Sequence, residues 1–324
     1  MKAILRTTYG SSDILKLMET DKPVPKDNEL LVKVCAAAVN PLDWHVLRGE
    51  PFLVRLMGFG LLKPKHRILG ADMSGRVESV GQNVTQFKEG DEIFGSSMGG
   101  FAEYACIPEN RAASKPASMT FEQAAAVPVA SITALQALRD HGRLQSGQHV
   151  LINGASGGVG TFATQIAKAL GARVTGVCSG KNLEMVRSIG ADHVIDYTKE
   201  DFWLSEKVYD LIVDNAAFYS IRKPLRVLKA TGIYVGVGGS SSTLSILQSL
   251  IFNPLIARMK GRKVVSFMAN ENQADLIFIK ELLEAGKVMP VIDRKYPLSE
   301  TPDAIRYVEK GHARGKVVIT FDEK

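Results

Sequence analysis

Two patterns of hydrophobic and polar positions follow one another along the chain. From residue 148 onward, short β-branched runs alternate with stretches of helical periodicity. The predicted strands read HVLI, RVTGVC, HVIDY, DLIVD and IYVGV, and the predicted helices between them cover residues 159–170, 183–189 and 221–228. Strands that alternate with helices are typical of a parallel sheet with crossover helices. This region is therefore predicted to be a doubly wound α/β domain.

The first part of the chain has a different pattern of predicted elements. ELLVKVCAAAV, GRVESVG, DEIFGS and AEYACI are short predicted strands separated by Gly, Pro and Asn turns, which indicates a β-rich domain. After residue 264 come the strand-like VVSFMA, an amphipathic helix over 273–285 and a closing strand KVVITF. We therefore predict three segments, at residues 1–128, 129–264 and 265–324.

Composition narrows the class of protein. The 324 residues are 45% hydrophobic, enough to bury the cores of two domains. The formal charge is +6, and the chain has no long block of consecutive basic residues. The excess positive charge therefore favours an anionic small ligand over nucleic acid; the alternative is a basic surface with no ligand. The opening MKAILRTTYG lacks the features of a secretory signal, and we expect a cytoplasmic protein.

Two apolar segments need interpretation. Residues 244–257 are broken by Pro254 and are shorter than the roughly 20 residues that span a bilayer, so they indicate a helical lid or interface and no membrane span. Residues 48–68 mix apolar side chains with Arg and Lys. They are interpreted either as the rim of a substrate cleft or as the surface of a homodimer.

A glycine-rich turn lies where the first α/β strand becomes a helix, in INGASGGVGTFATQ. Gly157 would let the backbone approach a pyrophosphate, and Gly160 would let the helix pack against the strand. The first helical amides, those of Gly158 and Val159 among them, would bind phosphate oxygens, and Ser156 could add a hydroxyl. This AxGxxG variant predicts dinucleotide binding because strand, turn, helix and second strand lie within about 30 residues.

The end of the second strand indicates which nicotinamide cofactor binds. An Asp or Glu there would hold the ribose hydroxyls of NAD, but the strand ends VCSGKN. Ser179 and Lys181 offer a hydrogen bond and a positive charge to a 2′-phosphate, and Tyr197 could cover it. NADP(H) is therefore the predicted cofactor. The alternative is that Lys181 is a solvated residue at a helix start.

Several strings resemble the medium-chain dehydrogenase/reductase family over the whole chain. They are NELL at 28–31, AAAVNPLDWHVLRG at 36–49, GADMSGRVESVG at 70–81, VTQFKEGDEIFG at 84–95, and then GGFAEYACIP, SITALQAL and GHARGKVVI. The resemblance implies an N-terminal GroES-like domain that also receives the C-terminal tail, a Rossmann domain between them, and an active site in the cleft.

The resemblance is to the zinc-free branch of that family. Where the zinc-dependent branch has a Cys and a His ligand, this chain has Asn40 and Ala71. Catalytic zinc needs about three protein ligands, and neither an amide nor a methyl group replaces thiolate or imidazole, so no metal is expected. The zinc-free branch contains quinone oxidoreductases and enone reductases. The implied activity is NADPH-dependent reduction of a quinone or an enone.

The resemblance also implies roles for individual residues. It would place Asn40 beside the nicotinamide and substrate, Thr133 under the nicotinamide, and Asn215 near its ribose. Phe267 and Met268 would lie against the carboxamide.

His45, which follows the VNPLD motif, is the candidate proton donor if one is needed, since its unperturbed pKa is about 6.5. Its alternative is an exposed histidine at a helix start. Two rival functions stay open: a non-catalytic NADPH-binding sensor or partner module, and a zinc alcohol dehydrogenase, against which Asn40 and Ala71 argue.

Overall fold

The computed structural model describes residues 1–216, 219–237 and 262–321. The chain divides into two compact units. The first contains Met1–Ala130, Glu271–Glu284 and Pro290–Lys324, and the second contains Ser131–Asn270 and Ala285–Met289. The predicted segment 265–324 is thus shared between the two units. The apolar segment 244–257 lies outside the described residues.

The described residues form fifteen strands and seven α-helices. Strands β1 to β15 cover, in order, Lys2–Leu5, Lys16–Glu19, Glu29–Val39, Asp72–Val80, Glu92–Ser96, Tyr104–Pro108, Ala112–Ser114, His149–Asn153, Arg173–Cys178, His193–Asp196, Tyr209–Asp214, Leu228–Gly236, Lys263–Ser266, Ile292–Pro297 and Lys316–Thr320. Helices α1 to α7 cover Pro41–Arg48, Phe121–Ala125, Pro128–Gln136, Gly158–Ala169, Leu183–Ser188, Gln273–Glu284 and Thr301–Glu309. None of these helices is long and apolar enough to cross a membrane.

A six-stranded parallel sheet forms the second unit. Its strand order is β10-β9-β8-β11-β12-β13, and every neighbouring pair is parallel. The chain therefore starts in the middle of the sheet, builds one half and returns to build the other, which is the doubly wound order. This confirms the predicted α/β class. All six carboxyl ends lie at one edge, with the switch in direction between β8 and β11.

A seven-stranded sheet forms the first unit. Its order is β14-β15-β3-β4-β5-β7, with β6 also paired to β3. The C-terminal strand β15 runs antiparallel to β3, and Val317 lies opposite Val39. This pairing brings Lys316, the first residue of β15, beside the chain as it leaves β3 at Asn40. Residues 276 positions apart thus become neighbours.

The predicted helix over 221–228 is wrong. The structure has a turn, then a 3₁₀ segment at Pro224–Arg226, and β12 already begins at Leu228. Pro224 has no N–H to donate to a preceding turn, which disfavours a continuous α-helix through it. Ile221, Leu225 and Val227 are buried in the core beside the sheet. The apolar spacing therefore reflects a buried connection.

Candidate functional site

The glycine turn joins β8 to α4 and is fastened to β9. Gly154 has a left-handed φ of +73°, which glycine adopts readily. The N–H groups of Gly154 and Ala155 both donate to the carbonyl oxygen of Val177, at 3.1 and 3.0 Å. The turn that was predicted to bind pyrophosphate is therefore fixed against the end of the second strand.

Two glycines in this turn have different surroundings. A Cβ on Gly160 would lie 2.0 Å from the Gly154 carbonyl oxygen, so the first turn of α4 packs directly on the glycine turn. Among the described residues, a Cβ on Gly157 would meet only that same oxygen, at 3.5 Å, so none of them fills the space over Gly157. The N–H groups that begin α4, at Gly158 and Val159, have no acceptor within the helix. An open backbone beside these donors fits a phosphate group.

The segment after β9 contains Ser179 and Lys181, which were predicted to bind a 2′-phosphate, and Asn182, for which no role was predicted. Ser179 is half-buried and Lys181 is exposed. Among the described residues, no hydrogen bond or ion pair engages the Lys181 ammonium group. Between them and α5 lies Asn182, whose buried Nδ2 donates to the hydroxyl oxygens of Ser156, at 3.1 Å, and Ser179, at 3.2 Å. One amide thus connects the glycine turn to the predicted 2′-phosphate site.

An acidic residue approaches this site from the neighbouring strand. Asp196 ends β10 and is paired with Cys178, and a Cβ on Gly180 would lie 2.6 Å from its Oδ2. Its Oδ1 accepts hydrogen bonds from the backbone N–H and the hydroxyl of Thr198, at 3.0 and 2.7 Å. Asp196 therefore stabilises the turn that follows β10. Tyr197, in that turn, is 58% exposed, and its N–H donates to the Cys178 carbonyl oxygen at 3.1 Å.

A buried carboxylate lies where the direction of the sheet switches. Asp214 ends β11 and is fully buried. Its Oδ1 accepts from Asn153 Nδ2 at 2.8 Å, and its Oδ2 accepts from the hydroxyls of Tyr219 and Tyr234 at 2.6 and 2.7 Å. Burial, together with the adjacent carboxylate, raises the pKa of both tyrosines. Both hydroxyls therefore stay protonated and donate.

This cluster fixes the backbone that carries Asn215. The N–H and the Nδ2 of Asn215 both donate to the Asn153 carbonyl oxygen, at 3.1 and 3.0 Å. Its Oδ1 is buried and accepts no hydrogen bond from the described residues. A free acceptor at the carboxyl edge of the sheet fits the hydroxyl of a ribose, the role that the family resemblance implies.

Thr133, Phe267 and Met268 belong to neighbouring parts of the same unit. Thr133 is half-buried on α3, and Gln136 at the end of this helix exchanges two hydrogen bonds with the backbone of Asn270, at 2.7 and 3.0 Å. The ring of Phe267 packs against His141 with centroids 4.1 Å apart. Met268 is 68% exposed. The structure thus fastens the segment after β13 to the helix that carries Thr133.

Asn40 lies in a buried polar cluster of the first unit. Its Nδ2 donates to Asp72 Oδ2 at 2.9 Å, and its Oδ1 accepts from Lys316 Nζ at 2.5 Å. Lys316 Nζ also lies 3.0 Å from Asp72 Oδ2, and the N–H of Val129 donates to Asp72 Oδ1 at 2.9 Å. Asn40 is 3% exposed. The charges of Lys316 and Asp72 balance each other, and together they fix the orientation of the Asn40 amide.

His45 lies on α1 in an environment that favours the neutral ring. Burial lowers the pKa of His45, and its ring stacks on Trp44 with centroids 3.5 Å apart. Its Nδ1 is 2.8 Å from the carbonyl oxygen of Glu50, which can only accept a hydrogen bond. In the neutral ring the hydrogen is therefore on Nδ1, and Nε2 is an acceptor. Proton donation from Nε2 would require the cationic ring.

Asp43, on the same helix, links two segments of the backbone. Its Oδ2 accepts from the N–H of Asn40 at 2.7 Å and its Oδ1 from the N–H of Gly70 at 3.1 Å. Complete burial raises its pKa to about 7, although these two N–H donors act in the opposite direction. Asp43 therefore joins the start of α1 to the chain ahead of β4.

The segment after α1 presents apolar side chains. Phe52, Leu56 and Met57 are exposed, whereas Phe59 is half-buried and its carbonyl oxygen accepts from the Tyr9 hydroxyl at 2.9 Å. Both interpretations of this segment, as a substrate rim or as a dimer surface, stay predictions.

The described residues contain no group of three His, Cys, Asp or Glu side chains placed to hold a metal ion. At the two positions where the zinc-dependent branch has ligands, Ala71 is a buried methyl group and Asn40 is engaged with Asp72 and Lys316.

Comparison with known proteins defines the class. Residues 26–117 match the family described as "Alcohol dehydrogenase GroES-like domain", and residues 189–319 match "Zinc-binding dehydrogenase". Over 98% of its length the chain is 35% identical to the mouse (Mus musculus) protein "NAD(P)H oxidoreductase RTN4IP1, mitochondrial", of which it covers 89%. It is 33% identical to "NADPH-dependent alkenal/one oxidoreductase, chloroplastic" of Arabidopsis thaliana, over 98% of the chain and 79% of that protein.

A solved structure agrees with these matches. The quinone oxidoreductase from Coxiella burnetii superposes with a TM-score of 0.88 and 32% identity, over 99% of both chains. The fold is a GroES-like unit combined with a Rossmann unit, as predicted. The chain therefore belongs to the medium-chain dehydrogenase/reductase family, an oxidoreductase family that uses NAD(P)H.

Proposed function

We propose that this protein is a zinc-independent reductase that uses NADPH to reduce a quinone or an α,β-unsaturated carbonyl compound. The observation that supports this most is the carboxyl edge of the parallel sheet. The glycine turn, two serine hydroxyls and the exposed Lys181, whose ammonium group has no partner among the described residues, lie there together. Relatives described as quinone and alkenal/one oxidoreductases support the substrate class. A cytoplasmic location stays a prediction.

The residues of this edge would hold NADPH in three places. The turn at Gly157 and the first amides of α4 would bind the pyrophosphate, and Ser156 would add a hydroxyl. Ser179 and Lys181 would bind the 2′-phosphate, with Tyr197 beside it. Asn215 Oδ1, which accepts no hydrogen bond from the described residues, would accept one from a ribose hydroxyl. Bound NADPH supplies the hydride, while the protein's own groups orient it and exclude water.

The absence of zinc ligands at Asn40 and Ala71 favours conjugated substrates. Reduction of a simple ketone gives a localised alkoxide, which needs strong stabilisation; loss of one oxyanion donor typically costs about 100-fold to 1000-fold in rate. Reduction of an enone or a quinone gives an anion whose charge is spread over a conjugated system. Hydrogen bonding by neutral groups is then enough, and Asn40 is the residue proposed for it.

A non-catalytic NADPH-binding module is the second candidate function. One observation favours it: the Asn40 Nδ2 donates to both Asp72 Oδ2 and the Ala38 carbonyl oxygen, at 2.9 and 3.4 Å, so its donors are engaged within the protein. Such a module would bind NADPH tightly and turn over no substrate.

Steady-state NADPH oxidation separates these functions. Protein treated with a chelator, with its zinc content measured, is assayed with quinones, enones and the matched saturated ketones. We expect a higher kcat/KM for quinones or enones than for saturated ketones, weaker activity with NADH, and a smaller preference for NADPH in Lys181→Ala. NADPH binding without turnover of any electron-poor substrate would support the second candidate. Equal affinity for both cofactors would contradict NADPH selectivity.

A further inference from the structure

We infer that Asn182 is a positioning residue that selects NADPH over NADH by orienting the hydroxyl groups of Ser156 and Ser179 toward the phosphates of the cofactor. The inference rests on the proposed function, because it concerns the NADPH that we place at this edge of the sheet. It assigns the selectivity in part to a buried amide that lies behind the two serines.

Asn182 is held in a fixed position. It ends a 3₁₀ turn, Gly180–Asn182, and its N–H donates to the Ser179 carbonyl oxygen at 2.8 Å. Its side chain is directed toward the glycine turn, with Nδ2 at 3.1 Å from Ser156 Oγ and 3.2 Å from Ser179 Oγ. Asn182 as a whole is 5% exposed. The amide therefore lies behind the two half-buried serines, which are nearer to solvent.

The direction of these hydrogen bonds decides what the serines offer a ligand. An amide nitrogen only donates, so each serine oxygen accepts from Asn182 and its own hydroxyl hydrogen is left to donate elsewhere. Phosphate oxygens only accept. Asn182 thus makes both hydroxyls donors toward an anion, and hydrogen bonds to an ionised acceptor are among the stronger ones in proteins.

The two serines would act on different parts of the cofactor. Ser156 belongs to the glycine turn, where both NADH and NADPH have a pyrophosphate. Ser179 follows β9, where the two cofactors differ by the 2′-phosphate. Loss of the orienting amide should therefore weaken the binding of both cofactors through Ser156 and weaken NADPH further through Ser179.

The other polar atom of the Asn182 side chain, Oδ1, determines which substitutions are suitable. The Oδ1 of Asn182 is buried and accepts no hydrogen bond from the described residues. A buried polar atom without a partner costs stability, so replacing the amide by an isosteric apolar side chain removes that cost as well as the two hydrogen bonds. We expect Asn182→Leu to stay folded, and Asn182→Ala provides a second variant with the same missing amide.

The experiment measures the Kd of the full-length protein for NADPH and NADH by titration, together with the thermal midpoint of each variant. Asn182→Leu and Asn182→Ala should raise the Kd for NADPH by about tenfold or more. The increase in the Kd for NADH should be several-fold smaller. Ser179→Ala should reduce mainly NADPH binding, and Ser156→Ala should affect both cofactors equally. Ser188→Ala, on the exposed side of α5, is the matched control and should change neither Kd.

A double-mutant cycle gives the decisive result. If Asn182 acts through Ser179, the double variant Asn182→Leu/Ser179→Ala should have nearly the same Kd for NADPH as the single variant that binds NADPH more weakly. Additive losses, or an unchanged ratio of the two Kd values in both Asn182 variants, would overturn the inference, whatever happens to the thermal midpoint. Wild-type protein that shows no preference for NADPH would instead contradict the proposed function.

Discussion

Lys316→Met should destabilise the first unit strongly, because it leaves a buried carboxylate without its counter-charge. The side chains of Lys316 and Asp72 are 3% and 0% exposed. After the substitution, Asp72 keeps the N–H donors of Asn40 and Val129, but the cation 3.0 Å away is gone. The Asn40 Oδ1 also loses its donor at 2.5 Å. Removing one partner of such a pair costs about 3–5 kcal/mol.

Tryptophan fluorescence during urea unfolding measures this loss in one unit. The chain has two tryptophans, Trp44 in the first unit and Trp203 in the second. In a Trp203→Phe background, Trp44 reports the first unit, which avoids treating the two-unit chain as a single two-state system. The control is Lys295→Met. Its partner Glu122 is 2.7 Å away but Lys295 is 52% exposed, so we expect a loss below about 1 kcal/mol.

The double variant Lys316→Met/Asp72→Asn removes the buried negative charge together with its counter-charge. An amide at position 72 has no charge to compensate, and it can pair with the Asn40 amide, so about half or more of the lost free energy of unfolding should return. If Lys316→Met lowers the free energy of unfolding no more than Lys295→Met, or if the double variant is less stable than Lys316→Met alone, Lys316 does not compensate the Asp72 charge.

Three further predictions concern the glycine turn and α1. Gly160→Ala should lower the thermal midpoint, because its Cβ would lie 2.0 Å from a backbone oxygen. Gly157→Ala should leave the thermal midpoint unchanged but weaken NADPH binding at least about tenfold, which calorimetry can measure. The raised pKa of Asp43, about 7, means that the native state holds a proton that the unfolded chain has lost above about pH 4. The stability of wild type relative to Asp43→Asn should therefore fall from pH 4 to 7; a flat difference in unfolding free energy would contradict this. Asn40→Ala should lower kcat more than it weakens NADPH binding, and the reverse result would remove Asn40 from catalysis.

The features of the proposed cofactor site that could be predicted are local in sequence. Strand, glycine turn and helix follow one another within one short stretch, and the carboxyl ends of parallel strands must lie at one edge of the sheet. Residues directly after those strands, such as Ser179, Tyr197 and Asn215, are therefore brought together by the topology that the alternating pattern predicts. The doubly wound class follows from the same alternation.

The features that could not be predicted depend on contacts between distant residues or on burial. The position of the Asn40 amide depends on Asp72 and Lys316, which are 32 and 276 residues away. No sequence pattern singles out Asn182, and only its burial and its two hydrogen bonds show its connection to the serines. The helix over 221–228 was predicted from apolar spacing alone, which a buried turn satisfies equally well.

Isotope transfer from NADPH shows whether hydride adds to a conjugated carbon–carbon bond in zinc-free protein. Protein whose zinc content is far below one ion per chain is incubated with an enone and with NADPH that carries deuterium at the transferred position of the nicotinamide, and the product is examined by NMR. We expect deuterium at the β-carbon of a saturated ketone, in proportion to the NADPH consumed. Deuterium at the carbonyl carbon of an alcohol, or transfer that requires added zinc, would contradict it.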